Sequence, residues 1–216
     1  MIAACLFSGG KESVYAIQTV QKQGVEVKHL IYEVPSFSSP HALNMEAVKI
    51  LAKSMNKHFT IVNLHEDGDE LVAVLKNLNV GVLVAGDINV PQHITWLNDK
   101  CSRAGKVKLL EPLWGKDTLV LFREMFLGKS GSRFKAAIIG VDNKRLKEEW
   151  LEFTLNSDTA ETFLSGTQGV DPLGENGEYH TIVIESPLYS NTFKIKPVEK
   201  ITDKNMTFLR VMLSES

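Results

Sequence analysis

Ile2-Ala3-Ala4-Cys5-Leu6-Phe7-Ser8-Gly9-Gly10-Lys11-Glu12-Ser13-Val14 is the stretch whose reading decides the fold. A short unbroken apolar run ends in a Ser-Gly-Gly turn, and Val14, Ile17 and Val20 then recur at helical spacing until Gly24. A strand therefore feeds a helix through a glycine turn, which is how a βαβ unit begins. The same alternation continues downstream. Val25–Val34 reads as a strand, and Met45, Val48, Ala52 and Met55 mark a helix. Phe59–Leu64 is a third strand, Leu71, Val74, Leu75 and Leu78 a third helix, and Val80–Ala85 a strand ended by Gly86-Asp87. Pro91 opens the next helix, with Ile94, Leu97, Cys101 and Ala104 on one face. Val107–Leu110, a helix around Leu119, Phe122 and Phe126, and a strand Phe134–Val141 extend the series.

The expected fold is α/β, a parallel doubly wound sheet over residues 1–142, followed by a small C-terminal α+β domain over 143–216. In the second part Asn156-Ser157-Asp158 offers capping residues before Ala160–Leu164, and a Gly-rich stretch precedes strand-like runs at Thr181–Glu185, Thr192–Ile195 and Met206–Leu213. Ligands of parallel sheets sit at the carboxyl ends of the strands. That directs attention to the loops after Phe7, Val34, Ala85 and Leu110.

Ser8, Gly9, Gly10, Lys11, Glu12 and Ser13 stand at the first of these ends. Glycines let backbone N–H groups approach an anion, the helix N-terminus adds unpaired donors, two hydroxyls add more, and Lys11 supplies a compact cation from an exposed loop. The spacing is not that of a Walker A loop. Gly174-Glu175-Asn176-Gly177-Glu178-Tyr179-His180-Thr181 is the second signal. Two carboxylates three residues apart leave a tight turn that can aim both at an amine, an ammonium ion or a metal. On spacing alone a polar surface turn entering an edge strand is the better reading. Asp87 closes a strand where an acid can touch a nucleotide or a metal, or simply cap a helix. A lone His93 or Trp96 near a helix start is more often packing or surface, Trp114 can stack on a base or join the core, and Cys101 belongs to an apolar face.

Of the 216 residues 44% are hydrophobic and 23% charged, and 24 Lys and Arg face 26 Asp and Glu for a net charge of −2. That composition excludes a disordered chain and argues against a dedicated nucleic-acid binder. No apolar run approaches the roughly 18 residues of a membrane span. The first residues lack a signal-peptide pattern, and two cysteines without a Cys-x-x-Cys pair leave no disulfide framework or Cys-based zinc site. A cytoplasmic location without membrane contact is expected.

Ser8-Gly9-Gly10-Lys11-Glu12-Ser13 resembles the PP-loop of the N-type ATP pyrophosphatases, usually Ser-Gly-Gly-Lys-Asp-Ser, and Glu111-Pro112-Leu113-Trp114 resembles the Pro-Leu-Trp after their fifth strand. Gly169-Val170 with Gly174–Thr181 resembles the Gly-Glu-x-Gly-Glu-Tyr-x-Thr signature of diphthine–ammonia ligases and their close paralogues. The resemblance implies an adenine nucleotide α-hydrolase-like sheet and an ATP-dependent, AMP-forming amide ligase. A carboxylate would attack the α-phosphate of ATP, and ammonia would displace AMP. It implies ATP and Mg²⁺ as cofactors, ammonia and translation elongation factor 2 as partners, and is compatible with a homodimer. Carried onto this chain, Lys11, Glu175 and Glu178 are the catalytic candidates. Ser8 to Ser13 with Asp87 would bind ATP. Gly174, Glu175, Gly177, Glu178, His180 and His93 would bind substrate. Three departures stand out: Glu12 for Asp, no Ser-Tyr-Met-x-His/Gln-Thr segment in Glu33–Leu43, and Gly86-Asp87-Ile88 with His93-x-x-Trp96 in place of the ligases' Gly-Ala-Ile pattern. The last looks more like a paralogous group. A nucleotide sensor and a tRNA-thiolating enzyme are the competing expectations, the latter disfavoured by the missing cysteine pair and basic excess.

Overall fold

The computed structural model describes residues 2–35, 39–63, 65, 67–128 and 133–216. Two compact units divide the chain, the first formed by Met1–Ser8, Glu12–Ser38 and Asn56–Gly115, the second by Gly9–Lys11, Ser39–Met55 and Lys116–Ser216.

The first unit holds strands β1 (Ile2–Leu6), β2 (Glu26–Val34), β3 (His58–Asn63), β4 (Val82–Val84) and β5 (Lys108–Leu110). All pair in parallel in the order β3-β2-β1-β4-β5. From β1 the chain moves outward to β2 and β3, then returns to β4 and β5 on the other side. Right-handed crossovers in opposite directions put helices on opposite faces, so the sheet is doubly wound as expected. Helices α4 (Asp69–Leu78) and α5 (Pro91–Ala104) cover one face, where Leu71, Leu75, Leu97 and Cys101 pack on Ala4, Ile31, Val62 and Leu83. Helix α1 (Lys11–Lys22) runs between β1 and β2, with Val14, Ala16, Ile17 and Val20 buried. The third strand ends at Asn63, and Leu64, expected to close it, lies outside the described residues.

The second unit contains helices α2 (Pro40–Leu43) and α3 (Met45–Ser54), α6 (Thr118–Phe126), α7 (Ala160–Gly166), and strands β6 (Lys135–Asp142), β7 (Thr154–Leu155), β8 (Tyr179–Glu185), β9 (Phe193–Asp203) and β10 (Met206–Glu215). Here one expectation is corrected. The run 134–141 is not a further parallel strand, because β6 pairs antiparallel with β7, β8 and β10. Ala136, Ala137, Ile138, Ile139 and Val141 are all fully buried, and a strand covered on both faces reads the same in either sheet type. The boundary expected at 142 therefore falls at the end of a strand inside the second unit. Helix α2 went unanticipated. Its Pro40 occupies the first helical turn, and the Ser39 hydroxyl accepts from Ala42 N at 3.1 Å. Asn44 then ties α2 and α3 to the last strand: its side-chain amide donates to Pro40 O (2.8 Å) and Leu209 O (2.7 Å), and its oxygen accepts from Val211 N (2.8 Å).

No helix among the described residues is long and apolar enough to cross a membrane.

Candidate functional site

The strand order reverses between β1 and β4, so the loops leaving these neighbours flank the crevice where such sheets bind ligands. After β1 come Phe7, Ser8, Gly9 and Gly10, and Lys11 opens α1. Gly9 takes φ +77°, and a Cβ there would stand 3.3 Å from Leu51 Cδ1 and 3.4 Å from Val48 Cγ2 of α3. Ser8 and Ser13 hydroxyls lie 3.4 Å apart. After β4, Gly86 meets the start of α1: a Cβ on it would fall 3.0 Å from the Glu12 carbonyl carbon and oxygen and 3.1 Å from Ser13 N. Asp87 therefore leaves the sheet directly beside the loop.

Asp87 does not stand alone. His93, in the first turn of α5, is bonded through Nδ1 to Asp87 Oδ1 at 2.7 Å, and its ring stacks on Trp96 with centroids 5.9 Å apart and planes at 19°. Glu33 from the end of β2 and Glu111 from just beyond β5 complete the group. Burial alone would push the His93 imidazole down. The Asp87 hydrogen bond and charge, with Glu33 and Glu111 behind them, more than reverse this and hold it above its ordinary value. Burial pushes Glu33 up to about 7, with His93 pulling it down and Asp87 up. Burial and then the Asp87 charge push Glu111 up to about 7 against the pull of His93. Glu33 Oε1 and Glu111 Oε1 are buried without a hydrogen-bond donor. Among the described residues no three His, Cys, Asp or Glu side chains are arranged to hold a metal.

In the second unit Lys11 is 2% exposed, which corrects the expectation of an exposed lysine. Its Nζ donates to Leu173 O at 2.7 Å and sits 4.4 Å from the centre of the Tyr179 ring. Its backbone N–H reaches Thr181 Oγ1 at 3.3 Å, and Val183 N donates to Gly9 O at 2.9 Å. The 174–181 signature thus lies along the glycine loop. The Tyr179 hydroxyl donates to Pro172 O at 2.5 Å. Asp171 Oδ1 accepts from Leu173 N (2.9 Å) and Glu175 N (3.2 Å), closing an Asx-type turn.

Glu178 is buried inside this turn. It accepts from Asn176 N (2.9 Å), Asn176 Nδ2 (3.0 Å), Asp171 N (3.4 Å) and Arg145 Nη1 (3.4 Å). Burial works to raise it, but these donors win and hold it below the usual carboxylate range. Glu175 is half-buried on the same turn, while Gly174 and Gly177 take φ +72° and +82°. A Cβ at Gly174 would strike the Tyr179 ring and carbonyl oxygen at 2.8 and 2.9 Å, so that glycine is required by packing. His180 is pushed down to about 4 by burial and by the Lys11 charge, and its ring meets His41 edge-on at 5.7 Å.

The structure therefore gathers Ser8, Glu12, Ser13, Asp87 and His93 in the first unit. In the second it gathers Gly9, Gly10, Lys11, Gly174, Glu175, Gly177, Glu178 and His180. Sequence reasoning missed Glu33 and Glu111, although both stand at strand ends already marked for inspection. It also missed Asp171, whose Asp-Pro-Leu-Gly context is a turn signal, and the role of Tyr179 and Thr181. Trp114 is 37% exposed, outside the core.

Residues 1–108 match the family profile described as Diphthamide synthase N-terminal domain, and residues 123–214 that of Diphthamide synthase C-terminal domain. The chain belongs to the diphthamide synthase family. A curated relative, a diphthine–ammonia ligase of Schizosaccharomyces pombe, is 25% identical over 236 residues, an alignment covering 95% of this chain and 38% of that protein. The chain thus spans well under half the length of this family relative. Among solved structures, a predicted subunit of tRNA methyltransferase from Methanocaldococcus jannaschii is 19% identical with a TM-score of 0.42, over 62% of this chain and 77% of that one. Homoserine dehydrogenase from S. aureus is 14% identical with a TM-score of 0.26, over 99% and 62%. Scores this low carry no argument, and the fold of this family member rests on its own strand order.

Proposed function

We propose that this chain is an ATP-dependent, AMP-forming amide ligase of the diphthine–ammonia ligase type, acting on a carboxylate carried by translation elongation factor 2. The observation that carries the proposal is the Ser8–Ser13 loop at the β1/β4 reversal, in a chain of the diphthamide synthase family. The donors of the loop and of the α1 N-terminus suit the phosphates of ATP, and Lys11 adds a cation. Magnesium would arrive on those phosphates with the Ser8 and Ser13 hydroxyls at hand, and would neutralise charge on the leaving pyrophosphate. The substrate carboxylate attacks the α-phosphate and pyrophosphate leaves. Ammonia then attacks the acyl carbon and AMP leaves.

The test is ATP titration, followed by incubation with diphthine-bearing elongation factor 2 with and without ammonium. The proposal expects ATP binding and equal yields of AMP and pyrophosphate that depend on both additions. ATP held without pyrophosphate release would mark a nucleotide sensor instead, and absence of ATP binding would remove the role given to the loop.

A further inference from the structure

We propose that His93, oriented by Asp87, takes up the proton that the attacking amine loses, which makes it a catalytic residue of the second half-reaction with Asp87 as its positioning residue. The inference rests on the ligase function proposed above and names a base for it.

Four observations carry it. The first is place. Asp87 follows Gly86, and Gly86 abuts the backbone of Glu12 and Ser13, so the pair stands beside the phosphate loop at the point where the strand order reverses. The second is orientation. The 2.7 Å contact engages Nδ1, leaving Nε2 as the nitrogen for substrate, and the stack on Trp96 fixes the ring plane. Side-chain exposures of 33% for His93 and 15% for Asp87 give a reachable imidazole on a sheltered carboxylate. The third is electrostatic. The ionisable groups facing the ring are Asp87 from the loop before α5, Glu33 from β2 and Glu111 from just beyond β5, all of which favour the imidazolium. The fourth is the commitment of Glu178, one of the two carboxylates that the 174–178 turn offers for the amine, to three donors of its own turn and to Arg145 Nη1.

The lone pair of ammonia forms a bond to the acyl carbon, and the bond from that carbon to the adenylate oxygen breaks. AMP leaves with that electron pair, and one N–H proton passes to His93 Nε2, leaving the neutral amide.

The experiment compares wild type, His93→Gln and Asp87→Asn with ATP and diphthine-bearing elongation factor 2. It measures ATP–pyrophosphate exchange and AMP release, across pH at a constant concentration of uncharged ammonia, and again with hydroxylamine as nucleophile. For His93→Gln the ratio of ammonia-dependent AMP release to exchange should fall about 100-fold. Hydroxylamine, uncharged near neutral pH and a stronger nucleophile, should recover most of that loss. The acid limb of the profile should vanish in His93→Gln and move to lower pH in Asp87→Asn. An unchanged ratio, or equal losses with both nucleophiles, would overturn the role of His93. A wild type that releases no pyrophosphate would instead remove the ligase function, and this inference with it.

Discussion

At Lys11 the ammonium rests on the Leu173 carbonyl and the Tyr179 ring within a buried setting, so this side chain supports the fold as well as any ligand. Lys11→Met keeps the apolar stem but leaves that carbonyl without its charged donor. Stability should drop by about 1–3 kcal/mol, read by denaturant melts, together with weaker ATP binding. A variant with unchanged stability would show that the buried contacts contribute nothing. Glu178 follows similar logic. Glu178→Gln turns one acceptor head into a donor facing the N–H groups of Asn176, and a loss of about 1–3 kcal/mol should appear before any effect specific to acyl transfer. Because its folded-state pKa is lowered, its contribution is present above the unfolded value and fades as pH falls through the lower folded one. The motif at 174–181 was visible in the sequence, but the direction of its carboxylates was not. Spacing places two acids on one turn, whereas Asp171 and Arg145, far away in sequence from each other, decide where Glu178 points.

At the scale of elements, the alternation of strands and helices up to Leu110 was legible because each crossover carries its own periodicity and its own Gly or Pro stop. Strand β6 was placed in the wrong sheet because full burial erases the alternation that separates sheet types. The junction of β4 with α1 gives a sharp test. Gly86→Ala would press a methyl to 3.0 Å from the Glu12 backbone, which cannot swing away as a side chain could. It should cost about 1–3 kcal/mol and weaken ATP binding by displacing the loop, measured by melts and titration. The α2–α3 segment depends on Asn44, which makes three buried hydrogen bonds. Asn44→Leu should cost roughly 3 kcal/mol in the same melts, since Leu209 O and Val211 N lose their buried side-chain partner.

For the whole molecule, the acidic cluster sets a pH dependence opposite to that of ordinary ion-paired carboxylates. Glu33 and Glu111 are each raised to about 7 by burial, so the folded state binds more protons than the unfolded state between about 4.5 and 7. Their contribution is complete below the unfolded value and is lost as pH rises through the folded one. His93, also raised, acts in the same direction. Melting midpoints should decline from pH 5 to pH 7.5, and Glu33→Gln with Glu111→Gln should flatten the decline. A wild-type curve already flat over that range would contradict the cluster. These neighbours were illegible because β2, β4 and β5 meet only after the crossovers fold.

Asn44 and its partner Leu209 are separated by 165 positions, and the second unit claims residues 9–11 and 39–55 long before the rest of it exists. At ribosomal speeds of 5–20 residues per second, α2 and α3 wait roughly 8–33 s for the strand that holds them. Throughout that interval Val48, Leu51 and Ala52, all fully buried in the finished fold, have no completed second unit to cover them. The nascent chain therefore carries an uncovered apolar helix until β10 has been made, and neither unit can be liberated by one proteolytic cut.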